Sequence, residues 1–254
     1  MNVKFKVKQV SAISFFLLIS ITMIFCISGC QSKDAENDFA LGNSYQNQGL
    51  NEQAISEYTK AISLEPNYAE AYSNRGISYR NEGNFTNAIS DHEKAIQLKP
   101  NDSIPLENLA QDYADEGNYQ LAIENYNKAL TIDPNSAMVY VNRAIVYIEM
   151  NQPDLAVVDC TKAISLDNSL VAAFINRGTA YYSMQQYQNA INDFTSVITM
   201  QPNFAEAFLE RGEAYNKLGE QSSAKADFNT CLKISTDPTV TAKAQQELNN
   251  LNPN

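Results

Sequence analysis

AEAYSNRGISYRNEGNFTNAISDHEKAIQLKPND, residues 69 to 102, decides the fold. Tyr72, Gly76 and Tyr79 fall at i, i+4 and i+7, one face of a first helix. Ala88, His92, Ala95 and Ile96 fall at i, i+4, i+7 and i+8, one face of a second. Gly83 and Asn84 break the chain between them, and Pro100 with Asn101 ends the unit. Two short helices joined by a tight turn cannot bury both faces alone. The stretch is therefore predicted to need a copy of itself on each side.

The copies are present at a step of 34 residues. From Gly76 the step reaches Gly42, Ala110, Ala144, Gly178 and Gly212, all small. From Ala88 it reaches Ala54, Ala122, Ala156, Ala190 and Ala224. From Tyr79 it reaches Tyr45, Tyr113, Tyr147, Tyr181 and Tyr215. Small residues on both helices let the backbones approach closely, and the tyrosines are expected to fill the wedge between them. The glycines between helices (Gly49, Gly83, Gly117, Gly219) give way to Asn151 and Gln185, of which Asn tolerates a left-handed backbone better.

This pattern resembles the tetratricopeptide repeat, in its 34-residue period and its aromatic-Gly-Tyr-Ala-aromatic-Pro order. The resemblance covers residues 35–238 and implies an all-α fold, a right-handed α-solenoid of six helix-turn-helix repeats. The repeats run 35–68, 69–102, 103–136, 137–170, 171–204 and 205–238. Asp38 stands in the first repeat where the others have Tyr72, Leu106, Tyr140, Phe174 and Phe208. Pro105 and Pro153 fall at helix openings, where a missing N–H costs little. After the last repeat, Asp237 and Pro238 read as N-cap and first helical residue. Residues 239–254 are predicted to form a capping helix and tail, with Val240, Ala244, Leu248 and Leu251 as its apolar stripe.

Residues 1–29 read differently. Lys4, Lys6 and Lys8 lead into an uncharged run from Gln9 to Ser32, apolar residues being densest from Ile13 to Ile27. That is the layout of an export signal. Ile27-Ser28-Gly29-Cys30 resembles a bacterial lipobox, which implies cleavage before Cys30 and lipid modification of that cysteine. An uncleaved transmembrane anchor is the other reading of the same run. Residues 30–34 would then be a lipid-anchored tether, and the expected location is an exported, membrane-anchored lipoprotein, periplasmic or on the outer face of the cell membrane. Beyond residue 30 there remain 15 basic and 29 acidic groups, net −14. Such a balance disfavours nucleic acid, whose affinity comes largely from Lys and Arg on phosphates.

Four cysteines do not make two disulfides here. Cys26 lies in the signal and Cys30 is the lipid site. Cys160 and Cys231 stand in interior slots, held elsewhere by Tyr58, Tyr126 and Phe194 and by Ala61, Ala95 and Ala129. Two repeats separate them, far beyond the reach of about 7 Å between Cα atoms that a disulfide allows. Arg75, Arg143, Arg177 and Arg211 each have an aspartate sixteen residues on: Asp91, Asp159, Asp193 and Asp227. Where Leu41 and Leu109 replace the arginine, the later position is Glu57 or Asn125. Co-variation of this kind between copies predicts four ion pairs across the two helices, structural rather than ligand-binding.

By the resemblance, ligands lie on the concave face lined by the first helices. The residues expected there are Asn74, Asn108, Met138, Val141, Asn142, Ile145, Ile148, Ile175, Asn176 and Tyr182. The asparagine row could hydrogen-bond a peptide backbone. Some relatives grip a C-terminal carboxylate with basic groove residues, but the matching slots Glu36, Phe39, Ala40, Glu70, Ser73, Glu107, Val141 and Glu206 hold no Lys or Arg. That mode is not expected.

Signals for chemistry are weak. The lone His92 occupies the slot of Tyr58, Tyr126 and Phe194 and reads as core, with no second His to make a metal or catalytic pair. Asp112, Asp115 and Glu116 lack the alternating ligands of a calcium loop and read as a solvated face. No phosphate loop or dinucleotide fingerprint appears. The sequence therefore predicts a non-enzymatic scaffold that needs no cofactor or metal, has no small-molecule substrate, and binds proteins or peptides at the cell envelope. A self-associating structural lipoprotein, or a pilotin-like assembly factor for a secretion or pilus complex, is the alternative.

Overall fold

The computed structural model describes residues 33–251 as α-helices joined by short turns, with no strand among them. The expected signal, residues 1–29, and the lipid site Cys30 lie outside the described residues. The described chain forms two compact units, one ending at Asn101 and the other starting at Asp102.

In the first unit, α1 is helical over 33–47. It is followed by α2 (Asn51–Leu64), α3 (Ala69–Asn81) and α4 (Phe85–Leu98). Lys33 and Asp34 are already helical, so the last two residues of the expected tether belong to the fold. The second unit contains α5 (Ile104–Asp115), α6 (Tyr119–Ile132), α7 (Ala137–Glu149), α8 (Pro153–Leu166) and α9 (Val171–Ser183). It continues with α10 (Tyr187–Met200), α11 (Ala205–Lys217), α12 (Gln221–Ile234) and α13 (Pro238–Leu251). From α1 to α12, odd-numbered helices open a hairpin and even-numbered ones close it. Within each unit the closing helix also packs on the opening helix of the next hairpin, as α2 does on α3 and α8 on α9.

Every opening helix stops by the same device. The N–H of Asn84 donates to the Tyr79 carbonyl at 2.8 Å, and that of Gly83 to the Arg80 carbonyl at 2.8 Å. These paired bonds need one left-handed residue after the helix. Gly83 supplies it at φ 73°, whereas Asn151 and Gln185 adopt φ 56° and 61° despite carrying a Cβ. Gln lacks the short polar side chain that eases this conformation. Gln185→Gly is expected to raise the unfolding free energy by up to about 1 kcal/mol, read from denaturant midpoints.

The wedge between the two helices of a hairpin is not filled by the tyrosines of the Tyr79 series, which are only half-buried. It is filled by the slot sixteen residues after each small residue. Tyr58, His92, Tyr126, Phe194 and Phe228 are fully buried there. A Cβ built on Gly76 would lie 2.7 Å from the His92 ring, and one on Gly178 would lie 2.9 Å from Phe194. A ring favours glycine opposite it, as at Gly42, Gly76, Gly178 and Gly212; Ala110 stands opposite Tyr126, and the hairpin that has Cys160 in the ring slot carries Ala144. The polar tips find partners: Tyr58 Oη donates to Asn43 Oδ1 at 2.8 Å, Tyr126 Oη to Gln111 Oε1 at 3.0 Å, and a His92 ring nitrogen lies 3.1 Å from the Ser73 carbonyl. The first hairpin compensates for Asp38 with its neighbour, Phe39, whose ring packs against Tyr58 and Tyr68. Cys160 and Cys231 are free, buried thiols, and burial pushes the Cys160 thiol up to about 12.

All four arginine–aspartate pairs form. Arg177 illustrates them: Nε donates to Asp193 Oδ2 at 2.8 Å and Nη2 to Oδ1 at 2.7 Å, the two-pronged geometry that favours Arg over Lys. The third prong leaves the hairpin. Nη1 of Arg75, Arg177 and Arg211 donates to Thr59, Thr161 and Thr195 on the closing helix of the preceding hairpin, and Nη1 of Arg143 donates to Asn127. Each guanidinium also lies between two rings of its own helix, as Arg75 does 5.5 Å from Tyr72 and 5.8 Å from Tyr79. That is where Tyr79, Tyr147, Tyr181 and Tyr215 are used.

At the chain's far end, Asp237 Oδ1 accepts from the Thr239 N–H at 2.6 Å and caps α13. Ala244 and Leu248 of α13 join Leu209, Phe228 and Cys231 in one buried cluster, with Val240 and Leu251 packed on it. The helix therefore covers the apolar side of the last hairpin.

Candidate functional site

In the second unit the opening helices α5, α7, α9 and α11 lie side by side, and their shared face is the candidate site. The residues expected on it separate into three groups. Met138 and Ile145 are exposed, at 46% and 42%, on one side of α7. Asn108, Asn142, Ile148, Ile175, Asn176 and Tyr182 are half-buried. Val141 is 1% exposed and is corrected from surface to interior. It packs with Ala163 and Ala173, because its slot faces the neighbouring hairpin; Leu209, in the same slot, is buried too. Ile148 leans the same way, against Ala144, Ala156, Cys160 and Ala180.

The asparagines are not equivalent. Asn142 Nδ2 is 3.4 Å from Glu107 Oε1 across to α5. In the first unit, Asn74 Nδ2 donates to Asn43 Oδ1 at 2.8 Å and its carbonyl accepts from Gln46 at 2.9 Å. Asn74 is thus engaged in holding α1 to α3.

Between α5 and α7 the face sinks into a cavity of about 230 Å³ lined by Gln111, Ala114, Asp115, Tyr119, Asn142, Ile145, Val146 and Glu149. Only Asn142 and Ile145 of the expected site are in it. Asp115 and Glu149 were open to recognition, since a step of 34 carries one onto the other. A solvated acidic run and a position shared on a groove wall look alike in sequence until the helix face is known. Gln111 Nε2 donates to Asp115 Oδ1 at 2.7 Å, fixing that carboxylate at the cavity wall.

Towards α13 the face is acidic again. Lys243 Nζ sits 2.6 Å from Glu213 Oε1 and 3.8 Å from Glu210 Oε1. The Glu213 contact is an ion pair without an aligned hydrogen bond. Burial first, and then repulsion from Glu213, raise the Glu210 carboxyl above its usual range, although Lys243 pulls the other way. Burial together with the charges of Glu213 and Glu210 pushes the Tyr182 phenol up to about 12. Its ring meets Tyr187 edge-on at 5.4 Å.

The sign for Glu210 follows from linkage. A carboxyl whose folded pKa lies above its unfolded one binds its proton more tightly in the fold, so its contribution is favourable in acid. That contribution is lost as pH rises from the unfolded through the folded pKa. Glu210→Gln is therefore expected to raise the melting temperature slightly at pH 7 and to leave it unchanged near pH 3, measured by circular dichroism.

Among the described residues, no group of three or more His, Cys, Asp or Glu side chains could hold a metal ion. No described helix is long and apolar enough to cross a membrane.

Family models described as "TPR repeat" match residues 42–81, 110–151 and 178–219. Models described as "Tetratricopeptide repeat" match 69–102, 137–170 and 205–238. No curated protein sequence matches the chain. Among solved structures it is similar to "MamA protein", at 27% identity and TM-score 0.60, over 65% of this chain and 90% of that one. It is also similar to YrrB, described as "a TPR protein with an unusual peptide-binding site", at 21% identity and TM-score 0.62, over 74% and 97%. The fold of pilF from Pseudomonas aeruginosa matches at TM-score 0.73 and 18% identity, over 85% and 99%. With its 34-residue hairpins, ring-and-glycine wedges and family matches in every one of its three thirds, the chain belongs to the tetratricopeptide repeat family.

Proposed function

We propose that this protein is a membrane-anchored adaptor that binds partner proteins or peptides on the face of its opening helices at the cell envelope. Tetratricopeptide repeat proteins are protein-interaction scaffolds, which supports the general class. The observation that carries the reading is on α7: Met138 and Ile145 stand exposed together, one turn either side of the polar Asn142. Exposed apolar side chains rimmed by polar neighbours are a mark of interaction sites. The location is inferred from the basic and apolar leader and from Cys30.

The test pairs two variants. Met138→Asp with Ile145→Asp changes only exposed side chains, unlike any variant that includes the buried Val141. Affinity capture from solubilised membranes should lose its specific partners with this variant while the melting temperature stays unchanged. An unchanged partner set would overturn the assignment of the face. A changed oligomeric state with partners retained would favour the self-associating alternative. The native chain should incorporate labelled palmitate and Cys30→Ala should not; a native chain in the membrane fraction with no label would replace the lipid anchor by an uncleaved helix.

A further inference from the structure

We propose that α13 is a proton-sensitive latch over the last hairpin: Glu210 and Glu213 of α11 share the ammonium of Lys243, and the helix is held more tightly when Glu210 carries a proton. This goes beyond partner binding and holds whatever occupies the face of the opening helices.

The packing of α13 makes it the element most easily released. A step of 34 carries Ala205–Lys217 onto residues 239–251, so α13 stands where the opening helix of a further hairpin would stand. Among the described residues it packs on α11 and α12 alone, whereas α11 packs on α9, α10, α12 and α13. Its fourteen residues bury only Ala244 and Leu248, against Ala205, Ala207, Leu209, Gly212 and Ala214 in α11. With so small an apolar grip, the charged contacts weigh heavily in whether the helix stays down.

Those contacts are unbalanced. Lys243 Nζ lies 2.6 Å from Glu213 Oε1 and 3.8 Å from Glu210 Oε1. Glu210 and Glu213 are three residues apart on one helix, so their charges repel when both are ionised. Glu213 Oε1 is shut off from water, which leaves that repulsion poorly screened. Glu247, on α13 itself, adds a third negative charge around the same ammonium. From α9 the cluster is faced by Tyr182, whose phenol is pushed up to about 12 and stays neutral wherever carboxylates titrate. The ring of Tyr187 on α10 meets Tyr182, and α12 contributes the apolar Phe228 and Cys231 to the core under the latch. One proton on Glu210 removes the repulsion and leaves Lys243 to its nearer partner, Glu213.

The sign follows from the same contacts. Burial first, then Glu213, hold the Glu210 carboxyl above its usual range, with Lys243 opposing them. Its proton is therefore bound more tightly with α13 docked than with Glu210 open to water. Docking is tightest in mild acid and weakens as pH rises from the ordinary carboxylate value through the raised one. The chain also carries a reporter of the motion. Cys231 is fully buried with Ala244 and Leu248 of α13, whereas Cys160 is buried among Ala144, Ala156 and Ala180, away from that helix.

The experiment uses the full chain in nanodiscs of neutral phosphatidylcholine. Hydrogen exchange of α13, corrected for the intrinsic effect of pH, is compared between about pH 5 and about pH 7.5, with α9 and α10 as internal controls. The opening equilibrium of α13 should grow severalfold at the higher pH, up to about tenfold for each unit by which docking raises the carboxyl. Glu210→Gln should keep its acid-level protection there. At the higher pH alone, labelling of Cys231 by N-ethylmaleimide, read by peptide mass spectrometry, should be slowest in Glu210→Gln and fastest in Lys243→Met. Labelling of Cys160 should be the same in all three proteins. Protection of α13 that is flat with pH or greater at the higher pH overturns the proposal, as does a Glu210→Gln protein that exchanges like the native one. Cys231 and Cys160 labelled in parallel would show whole-body opening in place of a latch and also overturn it.

Discussion

Replacing Asp159 by alanine is expected to lower the unfolding free energy by about 3–5 kcal/mol, among the largest effects available to a single substitution here. The pair it breaks is largely shielded, Arg143 and Asp159 side chains being 15% and 5% exposed. Arg143 loses acceptors for Nε and Nη2, which now reach Asp159 at 2.7 and 2.6 Å. What remains is a guanidinium held between Tyr140 and Tyr147 with its charge uncompensated. The loss therefore exceeds what an exposed ion pair would contribute. The protein also contains its own rescue. At the equivalent positions of the third repeat, Leu109 is 5% exposed and Asn125 donates to the Leu121 carbonyl at 2.8 Å. Arg143→Leu added to Asp159→Asn should therefore restore most of the stability, as buried ion pairs are often replaceable by packed neutral residues. Guanidinium denaturation of the three variants checks this; a fully stable Asp159→Ala protein would show the pair to be dispensable. Partner capture should survive Asp159→Ala below its melting temperature, since neither residue lies in the candidate site.

Phe194→Ala should cost a similar amount, about 3–5 kcal/mol. Phe194 is fully buried, and it packs with Ala190, Ile191 and Ala214 where α9, α10 and α11 meet. Its removal leaves a cavity directly over Gly178, whose missing Cβ exists to admit the ring. The reciprocal change, Gly178→Ala, overpacks the same point and is expected to cost about 1–3 kcal/mol. Combining them tests the wedge as a unit: the pair should be less destabilising than the sum of its parts, because the new methyl enters the vacated space. Strict additivity in denaturant midpoints would refute the ring-over-glycine account.

The architecture was legible because every hairpin repeats the same decisions. Ala88 and its copies are all fully buried, and the Arg–Asp pairs could be inferred from the two repeats that lack them. Side-chain assignments within the wedge were harder. Tyr79 and His92 are both conspicuous and both on inward-leaning faces, and only the backbone separation at Gly76 shows which ring enters. The site was less legible still. Val141 and Ile145 are four residues apart on one helix, and both are β-branched and apolar. The first faces the next hairpin and the second faces outward, a difference of helix rotation that single-residue chemistry does not encode. Asp115 and Glu149 share a slot 34 residues apart, but surface carboxylates are common and only the cavity they both line sets these two apart.

The outward prong of each arginine has a consequence for how the protein comes apart. In the second unit, Arg143, Arg177 and Arg211 each bind the helix before their own hairpin as well as the closing helix within it. No hairpin so linked completes its bonding in isolation, and loss of one leaves a guanidinium in the next without its last acceptor. Such a chain of shared donors ties neighbours into one melting body, so amides in α7 through α12 should exchange with solvent in a single concerted opening rather than fraying one layer at a time.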